Sequence, residues 1–495
     1  MKTSIFIFLM SFGLNTVSAQ SNMLSPVQIE EDVNVFITAL KKAHPGLDVY
    51  LNQFQLDSLF EELKVNQEEM ELKDFYTSLL KTVTSIGDGH TDLYEGKLFR
   101  EIYPYLESTM PFEFCIVNKD IYVSKFYDNT FGISKYSQVS SINGKPSDEI
   151  LEILYSLTPA DGHNTGFKEA YNEKILSRQF AKLIEFSEEY TIVIEHPDNS
   201  IKTINVNGVH DSIIHKNYYD KTPLNFELNK SDNYAILTAN TFQYRLIVEG
   251  GFDYHKFLEQ SFEELKKSKV ENLIIDLREN YGGDNILAIT LYSYLTDGQF
   301  KAMSSSLTKL HDTISVSPYS NFPKGNYPFE RTHEIKPIEN GFYELNNGID
   351  SKALYNSDFI YKGPNKKAEN ISKNKFDGTI YCLTSGLTFS AAANFSTLLS
   401  RNENVLFIGQ ETGGANGIFC GGGFYTVTLP NSQFVLQIPF MRRCVEGLEV
   451  AEQGFRIIPD YTIDKDIESM KKGEDNGLTK AKELIKTTPN KTYKQ

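Results

Sequence analysis

Positive charge is scarce in this chain: 49 Lys and Arg stand against 65 Asp and Glu in 495 residues, a formal charge of −16. Nucleic acid and anionic membrane surfaces are bound by basic patches that displace counterions, so neither is expected as a partner. Cysteine is equally sparse. Four residues, Cys115, Cys382, Cys420 and Cys444, are too few for a disulfide scaffold, and they show no C-x-x-C or Cys/His spacing that would hold zinc. Cys420 and Cys444 flank two strand-like stretches, "FYTVTLP" and "QFVLQIPF", and either a bridge or two free thiols is compatible with that placement. No long apolar run is present. The run from Ile5 to Leu14 is about half the ~20 residues that a membrane span requires. The G-x-G-x-x-G of dinucleotide sites and the Gly-Lys-Ser/Thr of phosphate loops are missing, and no internal repeat stands out. No metal or organic cofactor is implied.

What is present begins with a leader. Lys2, the short apolar run and Val17-Ser18-Ala19 before Gln20 have the form of a secretory signal over residues 1–19, cleaved near Ala19, which predicts export to a periplasm or the extracellular space. The remainder, with 40 % hydrophobic and 13 % aromatic residues, can build sizeable cores. Residues 25–100 read as helical, with Ile29, Val33, Phe36, Ile37 and Leu40, then Leu72, Phe75, Leu79 and Val83, at helix spacing. Residues 103–210 mix short strands such as "DIYVSKFY" and "YTIVIEH" with an Asn143-Gly144 turn and a helix from Ser147, an α+β module. Residues 224–465 alternate strands and helices as α/β domains do, with "YAILTA", "ENLIIDL" and "GTIYCLT" as buried strands and a long insertion from Lys301 to Lys375. Residues 466–495 read as a polar tail.

Three local features carry chemistry. Ser390, in "TSGLTFSAAANFSTLL", lies between a strand and a helix, where α/β sheets place ligands and helix N–H groups favour negative charge. A serine there is most often only a helix cap. Gly282-Gly283 in "DLRENYGGD" ends a buried strand, and two residues without side chains allow backbone N–H groups to face a ligand oxygen. His90 sits in the tight turn "SIGDGHTDLY" with Asp88 and Asp92 close in sequence.

Taken in order, "GDGHT", "INGKP", "LIIDLRENYGGD", "TFSAAANF", "GQETGG" and "IIPD" resemble the tricorn and C-terminal-processing serine peptidases, over about residues 30 to 465. The resemblance implies an α/β fold with a crotonase-like catalytic core, a PDZ-like substrate-binding module and a helical N-terminal domain. In the processing branch the base is a lysine after the serine; the corresponding "ETGGANG" has none. In the tricorn-like branch the base is a histidine near the N-terminus, which His90 matches, although Gly89 replaces the serine that usually precedes it. The usual glutamate three positions after the nucleophile is Ala393. The resemblance therefore implies Ser390 as nucleophile and His90 as base, with Glu452 as the third group and Glu411 the fallback. Backbone N–H groups of Gly282, Gly283 and Ala391 would form the oxyanion hole. Such an enzyme would take a peptide or protein substrate; a non-catalytic binder of peptides or hydrophobic ligands on the same fold is the alternative. His90 and Ser390 should then face one another across a cleft floored by the glycine pair.

Overall fold

A computed structural model describes residues 22–65, 68–127, 132–196, 200–215, 221–296, 300–310, 317–323, 327, 334–346, 354–355, 374–445, 448 and 456–487. Three helices open the chain: α1 (Pro26–Ala43), α2 (Gln53–Val65) and α3 (Leu72–Ile86). Proline at the first position of α1 and Gln28 Oε1 accepting from the Ser25 N–H fix its start. In α3, Leu72, Phe75, Tyr76, Leu79, Leu80, Val83 and Ile86 form one buried face, and Gly87 at φ 77° ends the helix in the left-handed conformation. That stop delivers the chain directly into the Asp88–His90 turn.

After the turn, β1 (Asp92–Tyr94) adds antiparallel to a strand more than 300 residues later, β17 (Val435–Val445), with Leu93 opposite Leu436. Next comes a second sheet of β2 (Phe112–Val117), β3 (Asp120–Phe126), β4 (Gln138–Ile142), β6 (Glu189–Glu195) and β7 (Ile201–Asn207), in that order, with β5 (Lys145–Pro146) beside β4. Asn143 and Gly144, both at positive φ, form the two-residue turn between β4 and β5. Helices α4 (Ser147–Ser156) and α5 (Thr165–Gln179) lie between β5 and β6 in the chain.

The third part is a six-stranded sheet of order β8 (Leu224–Asn229), β9 (Tyr234–Ala239), β10 (Asn272–Asp276), β14 (Thr379–Thr384), β15 (Val405–Gly409) and β18 (Tyr461–Thr462), parallel except for the edge strand β8. Both faces of these strands are apolar, as a covered parallel sheet requires. Leu273, Ile275, Ile380 and Cys382 face α6 (Tyr254–Ser268), α7 (Asn285–Ser293) and α8 (Ala391–Leu399). Ile274, Tyr381, Leu383 and Ile408 face the other way. What packs on them corrects the expectation of a polar tail: α9 (Asn476–Thr487) is helical, with Ala481 and Leu484 buried against those side chains, and residues 467–472 form a further helix that buries no residue. Leu478, Ala481, Leu484 and Ile485 fall on one helical face, a short stripe among lysines. Asp475 accepts two hydrogen bonds from Arg278, at 2.7 and 2.8 Å, and ties the start of α9 to the end of β10.

A further sheet joins β12 (Glu334–Pro337), β13 (Tyr343–Asn346), β11 (Met303–Thr308), β17 and β16 (Ile418–Thr428), so part of the stretch expected as an unpatterned insertion forms strands. The buried Asp32 of α1 accepts the N–H groups of Asn431 and Ser432, in the turn between β16 and β17, at 2.9 and 2.8 Å. This hydrogen-bond pair and the β1–β17 ladder hold the N-terminal region against the remainder. Cys420 and Cys444 are not directly opposed across β16 and β17, since Cys420 pairs with Arg442 and Cys444 with Ile418, and the four cysteines are buried with no disulfide between them. Among the described residues no helix is long and apolar enough to cross a membrane.

Candidate active site

Ser390 follows β14 through the turn Ser385–Phe389, which is pinned on several sides. Ser385 Oγ donates to the Arg278 carbonyl, Thr388 Oγ1 to that of Leu277 at 3.0 Å, and the Phe389 N–H to that of Asn280 at 3.2 Å. Ser390 sits at the N-terminus of α8 with φ 51° and ψ −119°, a backbone region that side chains rarely adopt, and its hydroxyl makes no capping hydrogen bond. A position of this kind costs on the order of 1–3 kcal/mol and persists only where its surroundings impose it. Instead of capping, Oγ meets His90 Nε2 at 2.9 Å, although the two residues are 300 positions apart.

His90 is 8 % exposed, its ring stacked on Phe389 with centroids 4.7 Å apart. Its carbonyl accepts from Gln437 Nε2 at 3.1 Å, and its N–H reaches Asp88 Oδ1 at 3.2 Å. Asp88 is itself held in a buried network: Oδ2 accepts from His44 Nε2 at 3.0 Å and from Thr91 Oγ1 at 2.6 Å. The Gly46 N–H donates to His44 Nδ1 at 2.9 Å, which assigns the ring proton to Nε2. Burial by itself would raise the Asp88 carboxyl, but the hydrogen bonds from His44 and Thr91 and the two imidazoles outweigh it and hold the group below its ordinary range.

The glycine turn lies against the serine. A Cβ on Gly282 would stand 2.7 Å from Ser390 Cβ and 2.9 Å from the Ala391 nitrogen. The two glycines are not equivalent donors. The Gly282 N–H is taken by Asn280 Oδ1 at 2.9 Å, which removes Gly282 from the expected set of oxyanion donors. The N–H groups of Gly283 and of Ala391, at the first position of α8, donate to no group among the described residues. Asn280, unremarked in the sequence, also donates from Nδ2 to the Ala239 carbonyl at 2.9 Å, so one buried amide joins the end of β9 to the glycine turn.

Of the two expected third groups, one is not described and the other is engaged elsewhere. Glu452 lies outside the described residues. Glu411 Oε2 accepts from Arg456 Nε at 2.9 Å in a half-exposed ion pair. His90 Nδ1 is buried and has no hydrogen-bond partner among the described residues. A carboxylate that the sequence reading overlooked, Asp161, stands nearby in the loop between α4 and α5. It accepts from the Gly89 N–H at 2.8 Å and the Ala415 N–H at 2.9 Å. Nothing in its local sequence, "TPADGHN", marks it; only the loop's return to the Gly87–His90 turn does.

A serine hydroxyl directed at an imidazole nitrogen, on an α/β sheet with N–H groups beside it that are unengaged among the described residues, is the arrangement that serine-type peptidases use. Residues 233–421 match the model of peptidase family S41. Similar solved structures include mature CPAF, 14 % identical over 93 % of this chain and 97 % of that one with a TM-score of 0.62. A serine-to-alanine mutant of CPAF is 15 % identical over 95 % and 99 % with a TM-score of 0.63. Mature CPAF complexed with lactacystin gives 14 %, 93 %, 98 % and 0.61. At these identities the likeness is one of fold. No curated protein matches the chain.

Proposed function

We propose that the protein is an exported peptidase that cleaves peptide bonds through an acyl-enzyme on Ser390. His90 Nε2 takes the hydroxyl proton as Oγ attacks the carbonyl, then returns it to the leaving amine; water repeats the sequence to release the acyl group. The oxyanion is received by the N–H groups of Gly283 and Ala391, each donor worth about 3 kcal/mol to the transition state. The observation that carries this reading is the 2.9 Å contact between Ser390 Oγ and His90 Nε2 at a residue whose strained backbone serves no capping purpose.

The same reading takes residues 224–465 as a crotonase-like core, residues 103–210 as a PDZ-like module that receives the substrate, and residues 25–100 as a helical domain that supplies the base. The antiparallel sheet with α4 and α5 set in sequence between its strands supports the second assignment, and the placement of His90 supports the third. Export rests on the leader sequence, and mature secreted protein should begin near Gln20. A fluorophosphonate probe should label the intact chain on Ser390 and fail on the Ser390→Ala variant, with hydrolysis of fluorescein-labelled casein lost in parallel. Undiminished labelling and hydrolysis in that variant would refute the assignment. An unlabelled, inactive wild-type chain that still binds peptide would favour the non-catalytic binder.

A further inference from the structure

For His90 Nε2 to accept the serine proton, the ring's own proton must reside on Nδ1, and once the ring is charged both nitrogens carry protons. Nδ1 is buried and has no partner among the described residues, a costly state for either form. Two carboxylates are close. One oxygen of Asp88, one of Asp161 and one ring nitrogen of His90 all lie within 4.8 Å of one another, and all three residues are buried. The two acids are differently occupied. Asp88 is engaged by His44, Thr91 and the His90 main chain. Asp161 accepts a single backbone N–H on each oxygen, which leaves each with a lone pair to offer. Its loop is fastened to the His90 turn a second time, by the Gly162 N–H donating to the Gly87 carbonyl at 2.7 Å.

We propose that Asp161 is the positioning residue for His90: its carboxylate selects the Nδ1–H form of the ring and stabilises the imidazolium that forms when the Ser390 O–H bond breaks and the Nε2–H bond forms. The proton on Nδ1 stays with the ring throughout. The inference rests on the peptidase reading above and deepens it by replacing Glu452 and Glu411 in that role. Burial, the largest influence on Asp161, pushes its carboxyl up; His90 and the two N–H donors pull the other way, and Asp88 adds to the rise. An acid held in this balance gains most from a cation forming beside it, which is the condition during catalysis. Asp161 also joins three parts of the chain, since its loop belongs to the second sheet's region and its two donors to the first and third.

The test is the pH dependence of fluorophosphonate labelling of the full-length chain and its Asp161→Asn variant. Other ionisable groups around the pair are Asp88 and His44 in the N-terminal region, Tyr50, Cys420 on β16 and Arg456, all unchanged in the variant. Losing one carboxylate makes the imidazolium less favourable, so the rising limb of the profile should move to lower pH while the plateau rate falls at least tenfold, with the far-ultraviolet circular dichroism spectrum retained. A merely structural role for Asp161 would lower the amount of labelled protein without moving the limb. Labelling by Asp161→Asn at the wild-type rate and with the wild-type profile, while Ser390→Ala stays unlabelled, overturns this inference and leaves the peptidase reading intact. Should Asp161→Asn not fold, nitrogen-15 spectra of histidine-labelled wild-type protein, assigned by His90→Gln, decide the question. A proton on Nδ1 at neutral pH is expected, and one on Nε2 overturns the proposal.

Discussion

Replacing Gly283 with alanine tests whether the glycine turn is held where the proposed oxyanion site needs it. Gly283 has φ 136°, and a Cβ there would stand 2.3 Å from the Phe242 carbonyl carbon and 2.4 Å from the Gln243 nitrogen. Those are backbone atoms and cannot rotate away. Accommodating the methyl group means separating the segments, which breaks the Phe242 N–H to Gly282 carbonyl bond at 3.0 Å and the Asp284 N–H to Phe242 carbonyl bond at 2.7 Å. Two backbone hydrogen bonds at about 0.5–1.5 kcal/mol each, with about 1–3 kcal/mol for alanine in an unfavourable backbone region, give a loss of roughly 2–6 kcal/mol. Gly144 is the internal control: it has φ 76° but no heavy atom within 4 Å of an added Cβ, so Gly144→Ala should cost only about 1–2 kcal/mol. Urea denaturation measures both. Fluorophosphonate labelling of the same samples should fall by about 100- to 1,000-fold for Gly283→Ala, the effect of removing one oxyanion donor, and stay unchanged for Gly144→Ala. If the two variants lose equal stability and label equally fast, the turn is not packed as described and Gly283 is no oxyanion donor.

Asp92 begins β1, and burial pushes its carboxyl up to about 6. A raised acid in the folded state loses stability as pH climbs from about 4 to 6, so Asp92→Asn should be more stable than wild type above pH 6, by up to about 3 kcal/mol, and equal to it below pH 4; thermal scans across that range check the sign. A chain ending at Gly473 lacks α9 and exposes Ile236, Ile274, Tyr381, Leu383 and Ile408, so it should be insoluble or unfolded by circular dichroism, whereas a dispensable tail would leave the midpoint unchanged. Thiol titration of protein unfolded without reductant should count four free cysteines, and a count of two would mean that a bridge forms.

The parts of the fold that were legible in the sequence are those where one period dominates. The apolar face of α3 and the runs "YAILTA" and "ENLIIDL" are explained by burial of one face or of both. The final helix was missed because its apolar stripe is short and interspersed with lysines, although the stripe fits the apolar sheet face of Ile274, Tyr381, Leu383 and Ile408. At the site, Ser390 and His90 were marked by the turns that hold them. Asp161 and Asn280 were not, because each acts through hydrogen bonds between segments far apart in the chain, from Asp161 to Ala415 across 254 positions and from Asn280 to Ala239 across 41. The preference between Gly282 and Gly283 was hidden for a different reason: the Asn280 side chain that engages one of them, two positions away, leaves no periodic trace.

The ladder between β1 and β17 has a consequence for how the protein is made. His90 emerges early in synthesis, but its neighbours Asp92, Leu93 and Tyr94 find their strand partners only when residues 435 to 437 exist. The serine follows the histidine by 300 residues, which at about 5–20 residues per second is roughly 15–60 s of translation. A growing chain therefore carries the Ser390–His90 pair unassembled for most of its time on the ribosome. On the proposed reading, the β1–β17 ladder cannot hold His90 against Ser390 until residues 435 to 437 have been made.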